Sequence, residues 1–393
     1  LQIQNNTNLR LENMQIFGDY GLVDTLINLQ QGRTESSIPA KSENGTRFRI
    51  KTPSAISSVR GTDFRVGTLE VHSATRNEVL TGITEINSEQ RKLRVPAGYG
   101  AVISKETPPT PPVKLLPPPD LSETATYYQS LPLVIQLKPL PGTQAYRAQI
   151  STDPDFRDLW SEFTTTSLPF RDGDIPDGDY WLRIRGIDES LIEGKDAVIS
   201  FSLNARPEAP FVIAPLPGGA TAPEHQEFKW TIQSEASHYA MMVSRDADFS
   251  DLIYSNPEVK GNSVTLSESL TPGHYFWRIF SVSASEGAGP FSDTMPFRVP
   301  YPGPSLENTK LDENQMTFAW RAAAEGQSFH LQFSRDKAFT DIIHDLPVTT
   351  SLITIAKPDS GTYYLRIKTI ESDSFQGPWG PHQIIEVPRG ISY

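Results

Sequence analysis

The chain has no cysteine in 393 residues, which removes disulfide frameworks, thiolate nucleophiles, zinc–cysteine sites and iron–sulfur chemistry together. Stability has to come from burial. There is no apolar run long enough to span a bilayer as a helix and no cleavable signal segment. A chain that opens on Leu1 reads as a mature or trimmed fragment. Nor is there a Gly-x-Ser-x-Gly elbow, a phosphate loop or a dinucleotide fingerprint, so the chain is read as non-catalytic and cofactor-free. The seven histidines, His72, His225, His238, His274, His330, His344 and His382, show no His-x-x-x-His spacing, so no metal site is assigned to them. Positive charge is also scarce. The formal net charge is −12, and it is uneven: residues 1–106 hold 13 Lys and Arg against 11 Asp and Glu, the remainder 22 against 36. An acidic array repels phosphate backbones and anionic lipid surfaces, which argues against nucleic acid as a partner.

What the chain has in quantity is proline, 33 residues, with 10% aromatics, a composition suited to a loop-rich all-β protein of several modules. An internal repeat organises everything after residue 116. Tyr146-Arg-Ala-Gln-Ile-Ser-Thr-Asp-Pro-Asp-Phe-Arg-Asp-Leu is matched by Tyr239-Ala-Met-Met-Val-Ser-Arg-Asp-Ala-Asp-Phe-Ser-Asp-Leu and by Phe329-His-Leu-Gln-Phe-Ser-Arg-Asp-Lys-Ala-Phe-Thr-Asp-Ile. A second segment follows in each copy: Gly178-Asp-Tyr-Trp-Leu-Arg-Ile, Gly273-His-Tyr-Phe-Trp-Arg-Ile and Gly361-Thr-Tyr-Tyr-Leu-Arg-Ile. Nine residues before each first segment stands Leu137, Trp230 or Trp320. Apolar residues alternate within these segments, the period of half-buried strands, and Pro- and Gly-rich stretches separate them.

A unit of about 90 residues with an early core Trp and a Gly-x-Tyr opening a late strand suits a two-sheet sandwich. These residues resemble the fibronectin type III family. Leu270-Thr-Pro-Gly-His-Tyr275 is similar to its tyrosine corner, Trp230 and Trp320 to its core tryptophan, and Leu137 departs from it. Trp230, Trp320, Tyr180, Tyr275 and Tyr363 are accordingly assigned to cores and corners. Before residue 106, short strand-like runs are broken by glycine. Thr52-Pro-Ser-Ala-Ile-Ser-Ser-Val-Arg-Gly-Thr-Asp-Phe-Arg-Val66, with Val79-Leu-Thr-Gly-Ile and Leu93 to Gly98, resembles the FecR domain family.

The expected fold is all-β: a FecR-like β-solenoid or rolled sandwich over 1–106, then three tandem fibronectin type III-like β-sandwiches over 120–206, 207–300 and 301–393. A Pro-rich stretch at 107–119 is read as a polyproline II spacer, and Pro-stiffened junctions suggest a rod.

The FecR resemblance implies a periplasmic or cell-envelope protein of a Gram-negative bacterium. It also implies a partner among envelope proteins or peptidoglycan and other glycans. Relatives that join FecR to fibronectin-like repeats imply a LysM module upstream of Leu1. The expected role is a non-catalytic scaffold or binding adaptor. The alternative is a FecR-type periplasmic sensor, although the cytoplasmic anti-sigma segment and membrane helix of such proteins are not visible here. The sequence assigns no individual binding partner, no ligand-binding residues and no oligomeric state.

Three local features compete with structural readings. Asp153, Asp155 and Asp158, and Asp246, Asp248 and Asp251, have calcium-like spacing, but Lys337-Ala338 breaks the third copy. The preferred reading is a turn capped by aspartate, with Phe156, Phe249 and Phe339 plugging the core, and folding without calcium. Alternation puts Trp181 and Arg183, Phe276 and Arg278, and Tyr364 and Arg366 on an outer face, where they either stack on a ligand or cover one another. Arg60-Gly61-Thr62 is read as a backbone corner rather than a binding loop.

Overall fold

The computed structural model describes residues 1–17, 22–39, 47–59, 61–69, 73–89, 92–106, 111–173 and 175–389. Arg60, His72 and residues 107–110 lie outside the described residues. The chain is all-β and divides into two compact units, residues 1–205 and 206–393.

The first unit opens with two facing sheets. Their strands are β1 (Gln2–Ile3), β2 (Asn8–Phe17), β3 (Leu22–Gln31), β4 (Arg33–Ser37), β5 (Arg47–Lys51), β6 (Ile56–Val59), β7 (Asp63–Leu69), β8 (Ala74–Thr81), β9 (Ile83–Asn87), β10 (Lys92–Pro96), β11 (Tyr99–Ile103) and β12 (Val113–Lys114). One sheet runs β1-β4-β7-β8-β11-β12 and the other β10-β9-β6-β5-β3-β2. Alternation supplies the core between them: Ile27, Leu29, Ile50, Val59, Phe64 and Val66 at one end, and Val79, Ile86, Val95, Ala101 and Ile103 at the other.

The Thr52-Pro-Ser segment fastens the two layers. Its Thr52 and Ser54 hydroxyls both meet the Thr75 hydroxyl of β8 at 2.6 Å in a buried cluster. Gly61 takes a left-handed φ of 58°, and buried Thr62 donates its hydroxyl to the Ile83 carbonyl at 3.1 Å. A Cβ on Gly82 would lie 2.4 Å from the Gly61 carbonyl oxygen, so this corner requires glycine.

Each of the three repeats folds as a β-sandwich. In the first, a sheet containing Ala145–Ser151, Leu159–Thr165, Gly178–Ile187 and Ala197–Leu203 covers the pair Leu133–Ile135 and Phe170–Asp172. In the second, Glu227–Trp230 and its neighbours face the sheet of His238–Ser244 and Gly273–Ser283. The third repeats this with Gln315–Trp320 facing Ser328–Ser334 and Gly361–Ile370. Leu137, Trp230 and Trp320 are each buried in their own core. The tyrosine corner closes identically in all copies: Tyr180 donates to the Pro176 carbonyl, Tyr275 to Thr271 and Tyr363 to Asp359, each at 2.8 Å and four residues back. Leu137, smaller than tryptophan, is buried in the first core together with Tyr146 and Tyr180.

The stretch expected as a spacer is not free in its described part. Val113–Lys114 pairs with β11, Leu115 is buried, and the Lys195 amide donates to the Leu116 carbonyl at 2.9 Å. Apolar Val113-Lys-Leu-Leu116 between the proline runs finds a strand edge to complete and a surface to cover.

Trp230 is fully buried against Tyr239, with ring centroids 5.6 Å apart. Trp230→Ala should cost about 3–5 kcal/mol, a large part of one sandwich's stability. Thermal unfolding followed by near-ultraviolet circular dichroism should show the transition of residues 206–393 lowered and that of residues 1–205 unmoved.

Candidate functional site

The aspartate turns come first. In each copy the strand ladder slips by one residue at a buried serine, Ser151, Ser244 or Ser334. Its hydroxyl donates to the carbonyl of Asp158, Asp251 or Asp341 at 2.7–2.8 Å. The first aspartate then receives the turn's amides: Asp153 from Arg157 and Asp158, Asp246 from Ser250 and Asp251, Asp336 from Thr340 and Asp341. These bonds hold the three carboxyls below the usual range, the amide of Asp158, Ser250 or Asp341 leading. No cluster of three or more His, Cys, Asp or Glu suited to a metal occurs among the described residues.

The turns correct one expectation. Phe156, Phe249 and Phe339 are buried with left-handed φ of 56°, 59° and 57°, but they do not plug the sandwich cores. They lie on the opposite sheet face, under arginines. Arg278 is clasped between Phe249 and Phe291, 3.9 Å from each ring centroid, and Arg366 between Phe339 and Trp379 at 4.1 and 4.5 Å. A left-handed Phe costs about 1–3 kcal/mol, offset here by the amide bonds to the aspartate and by the cation–π contact. The two arginines are thus engaged within their own sandwiches.

Copy one departs, and it corrects a second expectation. Arg183 sits over Phe156 at 4.4 Å, yet neither it nor Arg185 is on an outer face: they are 8% and 1% exposed. The sheet that carries them is covered by β4, β7 and β8, and the contact is an ion-pair seam. Arg185 donates to Glu35 at 2.7 Å and also meets Glu193 at 3.1 Å and Asp196 at 2.6 Å. Arg65 reaches Asp196 at 2.6 Å and the Gly194 carbonyl at 2.8 Å. Arg76 bonds Glu193, Glu78 and the Leu191 carbonyl. Arg33 and Arg147 share Glu162 and Glu193. Gln149 donates to Gln4 at 2.7 Å. Gly100 allows the close approach, since a Cβ there would stand 2.7 Å from the Ile192 side chain.

The seam separates its carboxylates electrostatically. Burial pushes Glu35 upward, but Arg185, Arg65 and Arg183 outweigh it and hold the carboxyl at about 2. Burial likewise opposes ionisation of Glu193, and Arg76, Arg185, Arg147 and Arg33 override it. Glu78 goes the other way: burial, with Glu193 repelling it, raises its carboxyl despite Arg76.

The opposite sheet presents an open site. Its outward face forms a trough of about 900 Å³ over β5, β6, β9 and β10. Arg47, Arg49, Lys92 and Arg94 line it against a single carboxylate, Glu85. Register places Arg49, Ser58, Glu85 and Arg94 in one row across the four strands. Arg49 is held from the side by Asp24 at 2.9 Å. Among the described residues, the side chains of Arg47, Lys92 and Arg94 have no ion-pair or hydrogen-bond partner, although Glu85 stands opposite Arg94 in the ladder.

The histidines of the described residues are dispersed: His330 binds Asp345, His274 meets Arg298 at 3.2 Å, and His238 pairs with Ser237 at 3.0 Å. Sequence reasoning missed both the seam and the trough. The trace of the seam in the sequence is a second arginine, Arg185, two residues after Arg183 on the same side of its strand, where the other copies have Phe280 and Lys368.

Comparison with known proteins finds a family for most strands of the N-terminal sheets. Residues 1–85 match the family model described as FecR protein. The matched residues include β4, β7 and β8 of the seam and β5, β6 and the start of β9 in the trough, whereas β10 lies beyond them. Similar solved structures include two of a "putative anti-sigma factor" from Parabacteroides distasonis ATCC 8503. One is 16% identical over 29% of this chain and 54% of that one, with TM-score 0.22. The other is 14% identical over 28% and 60%, with TM-score 0.21. The chain spans a little over half the length of these relatives. The chicken CNTN1 FN1–FN3 domains are 15% identical over 70% of this chain and 99% of that one, with TM-score 0.23. No curated protein matches the chain. No helix among the described residues is long and apolar enough to cross a membrane.

Arg185 is fully buried with three carboxylates as partners, so Arg185→Ala should cost about 3–5 kcal/mol by leaving those charges uncompensated. Hydrogen exchange should then rise together in β4, β7 and β8 and in Ala145–Ser151, and protection unchanged in either sheet would exclude the seam as the link.

The raised Glu78 makes a pH prediction. A carboxyl whose folded pKa lies above its unfolded value contributes stability below the unfolded value, near 4.3 in model peptides, and loses it as pH rises through the folded value. Glu78→Gln keeps the oxygen that accepts the Glu193 amide, at 3.1 Å in the native chain, and removes that loss. The melting temperature of Glu78→Gln relative to wild type should therefore climb from pH 4 to pH 8, and a flat or falling difference contradicts the assignment.

Proposed function

We propose that this chain is a non-catalytic binding adaptor of the bacterial cell envelope, in the periplasm of a Gram-negative bacterium, with the FecR-matched sheets as its recognition element. One observation carries this reading. The FecR-matched sheets are fixed through the seam to the first sandwich, so one sheet is spent on attachment and the face of β10-β9-β6-β5-β3-β2 is left to present. A rigid mount beneath an open polar face suits binding, because the face is preorganised. The repeats then serve as the support. In the second and third repeats Arg278 and Arg366 are clasped by aromatic rings of their own sandwich, and in the first Arg183 and Arg185 are committed to the seam, which leaves the N-terminal sheets as the better candidate for contact with an envelope protein or glycan.

A FecR-type sensor is the second reading, favoured by the family match at residues 1–85. Deleting residues 1–106 from the chromosomal copy separates the two. An adaptor loses co-fractionation of a partner with the envelope while transcription stays as in wild type. Induction or loss of one coherent set of transcripts on deletion, reproduced by Arg185→Ala, would favour the sensor instead.

A further inference from the structure

The trough over β5, β6, β9 and β10 differs from every other charged cluster in the described residues. The seam's guanidinium groups are committed to carboxylates, even at its rim, where a cleft of about 400 Å³ is lined by Arg33, Arg147, Glu162 and Phe163. Arg278 and Arg366 are clasped between rings. In the trough, by contrast, Arg47, Lys92 and Arg94 are exposed and have no partner among the described residues, and they gather on one concave face of a chain whose net charge is −12. Like charges crowded without partners repel, and a concave wall concentrates their field.

We propose that this trough binds an extended acidic peptide segment of a partner protein, with carboxylates at alternate positions. Arg47 and Arg49 lie two residues apart on β5, and Lys92 and Arg94 two apart on β10. Each pair therefore projects from one face with a spacing of about 6–7 Å, the spacing of alternate side chains on an extended peptide. The pairs are separated by three strand steps, about 14 Å, with Ser58 and Asn87 on the floor between them to take backbone or side-chain hydrogen bonds. Guanidinium forks match carboxylates in two-pronged geometry. A sugar polymer is the weaker fit, because the described lining holds one aromatic, Phe48, which is turned into contact with Phe64 at 6.2 Å, and stacking platforms are what sugars use. This inference rests on the reading that the FecR-matched sheet is the recognition element.

The test uses the full chain and a fluorescent peptide of alternating Glu and Thr, read by anisotropy. Binding should weaken at least about tenfold in Lys92→Glu/Arg94→Glu, and also on raising salt from about 50 to about 300 mM, as screening requires. The charge-matched control Lys310→Glu/Arg321→Glu, on exposed side chains of the third sandwich, should bind as wild type. An unchanged melting temperature verifies that the trough variant folds. Three results would overturn the proposal: no binding of the Glu-Thr peptide by wild type, equal loss in the control variant, or binding of polygalacturonate but not of the peptide. None depends on cells, so failure of the adaptor reading in the deletion strain and failure of the peptide assay are distinguishable.

Discussion

Arginines and carboxylates packed between two β-sheets, largely removed from water, can be stable only as a set. Moving one such ion from water costs several kcal/mol, and its partners return that only when geometry and hydrogen bonding are complete. In the seam, Arg185 meets Glu35, Glu193 and Asp196 at once, and Glu193 is itself shared by Arg33, Arg76, Arg147 and Arg185. Arg185 and Glu193 each serve several partners, so removing either leaves buried charges without compensation.

Much of the first unit follows from that constraint. The first repeat buries both faces of Gly178–Ile187, where Tyr180, Leu182 and Ile184 enter the sandwich core and Arg183 and Arg185 enter the seam. The second and third repeats have only one such obligation. In them the arginine equivalent to Arg183 is clasped by the turn phenylalanine and a second ring on the same face. Copy one keeps the Phe156 contact and adds the charge of Glu35. One motif is therefore used in two ways, as a closed surface feature and as half of an interface. Attachment through β4, β7 and β8 also decides which sheet of the FecR-matched region faces outward, and with it the trough.

Part of this was legible in the amino-acid order. Period-2 alternation marks the strands because side chains alternate across a pleated sheet, and it assigns Trp230, Trp277 and Tyr275 to the core side without further information. The tyrosine corner follows from a Gly two residues before a Tyr, and the aspartate turns from Ser-x-Asp with Phe three residues on, since these are contacts within a few positions along the chain. Alternation says only that a side chain points away from the core, not what lies there. Arg183, Arg278 and Arg366 therefore looked equivalent, and Phe156, Phe249 and Phe339 looked like core.

The sequence by itself determined the strands, the sandwich cores, the corners and the capped turns, because each rests on local periodicity or on hydrogen bonds between near neighbours. Tertiary structure alone decided that residues 113–116 tie down rather than space apart, that Glu35 and Arg185, 150 positions apart, meet in a buried pair, and that Arg47 and Arg94 line the same trough. Such pairings depend on which sheet face is covered by which, and a charge carries no mark of its distant partner until the chain has closed around it.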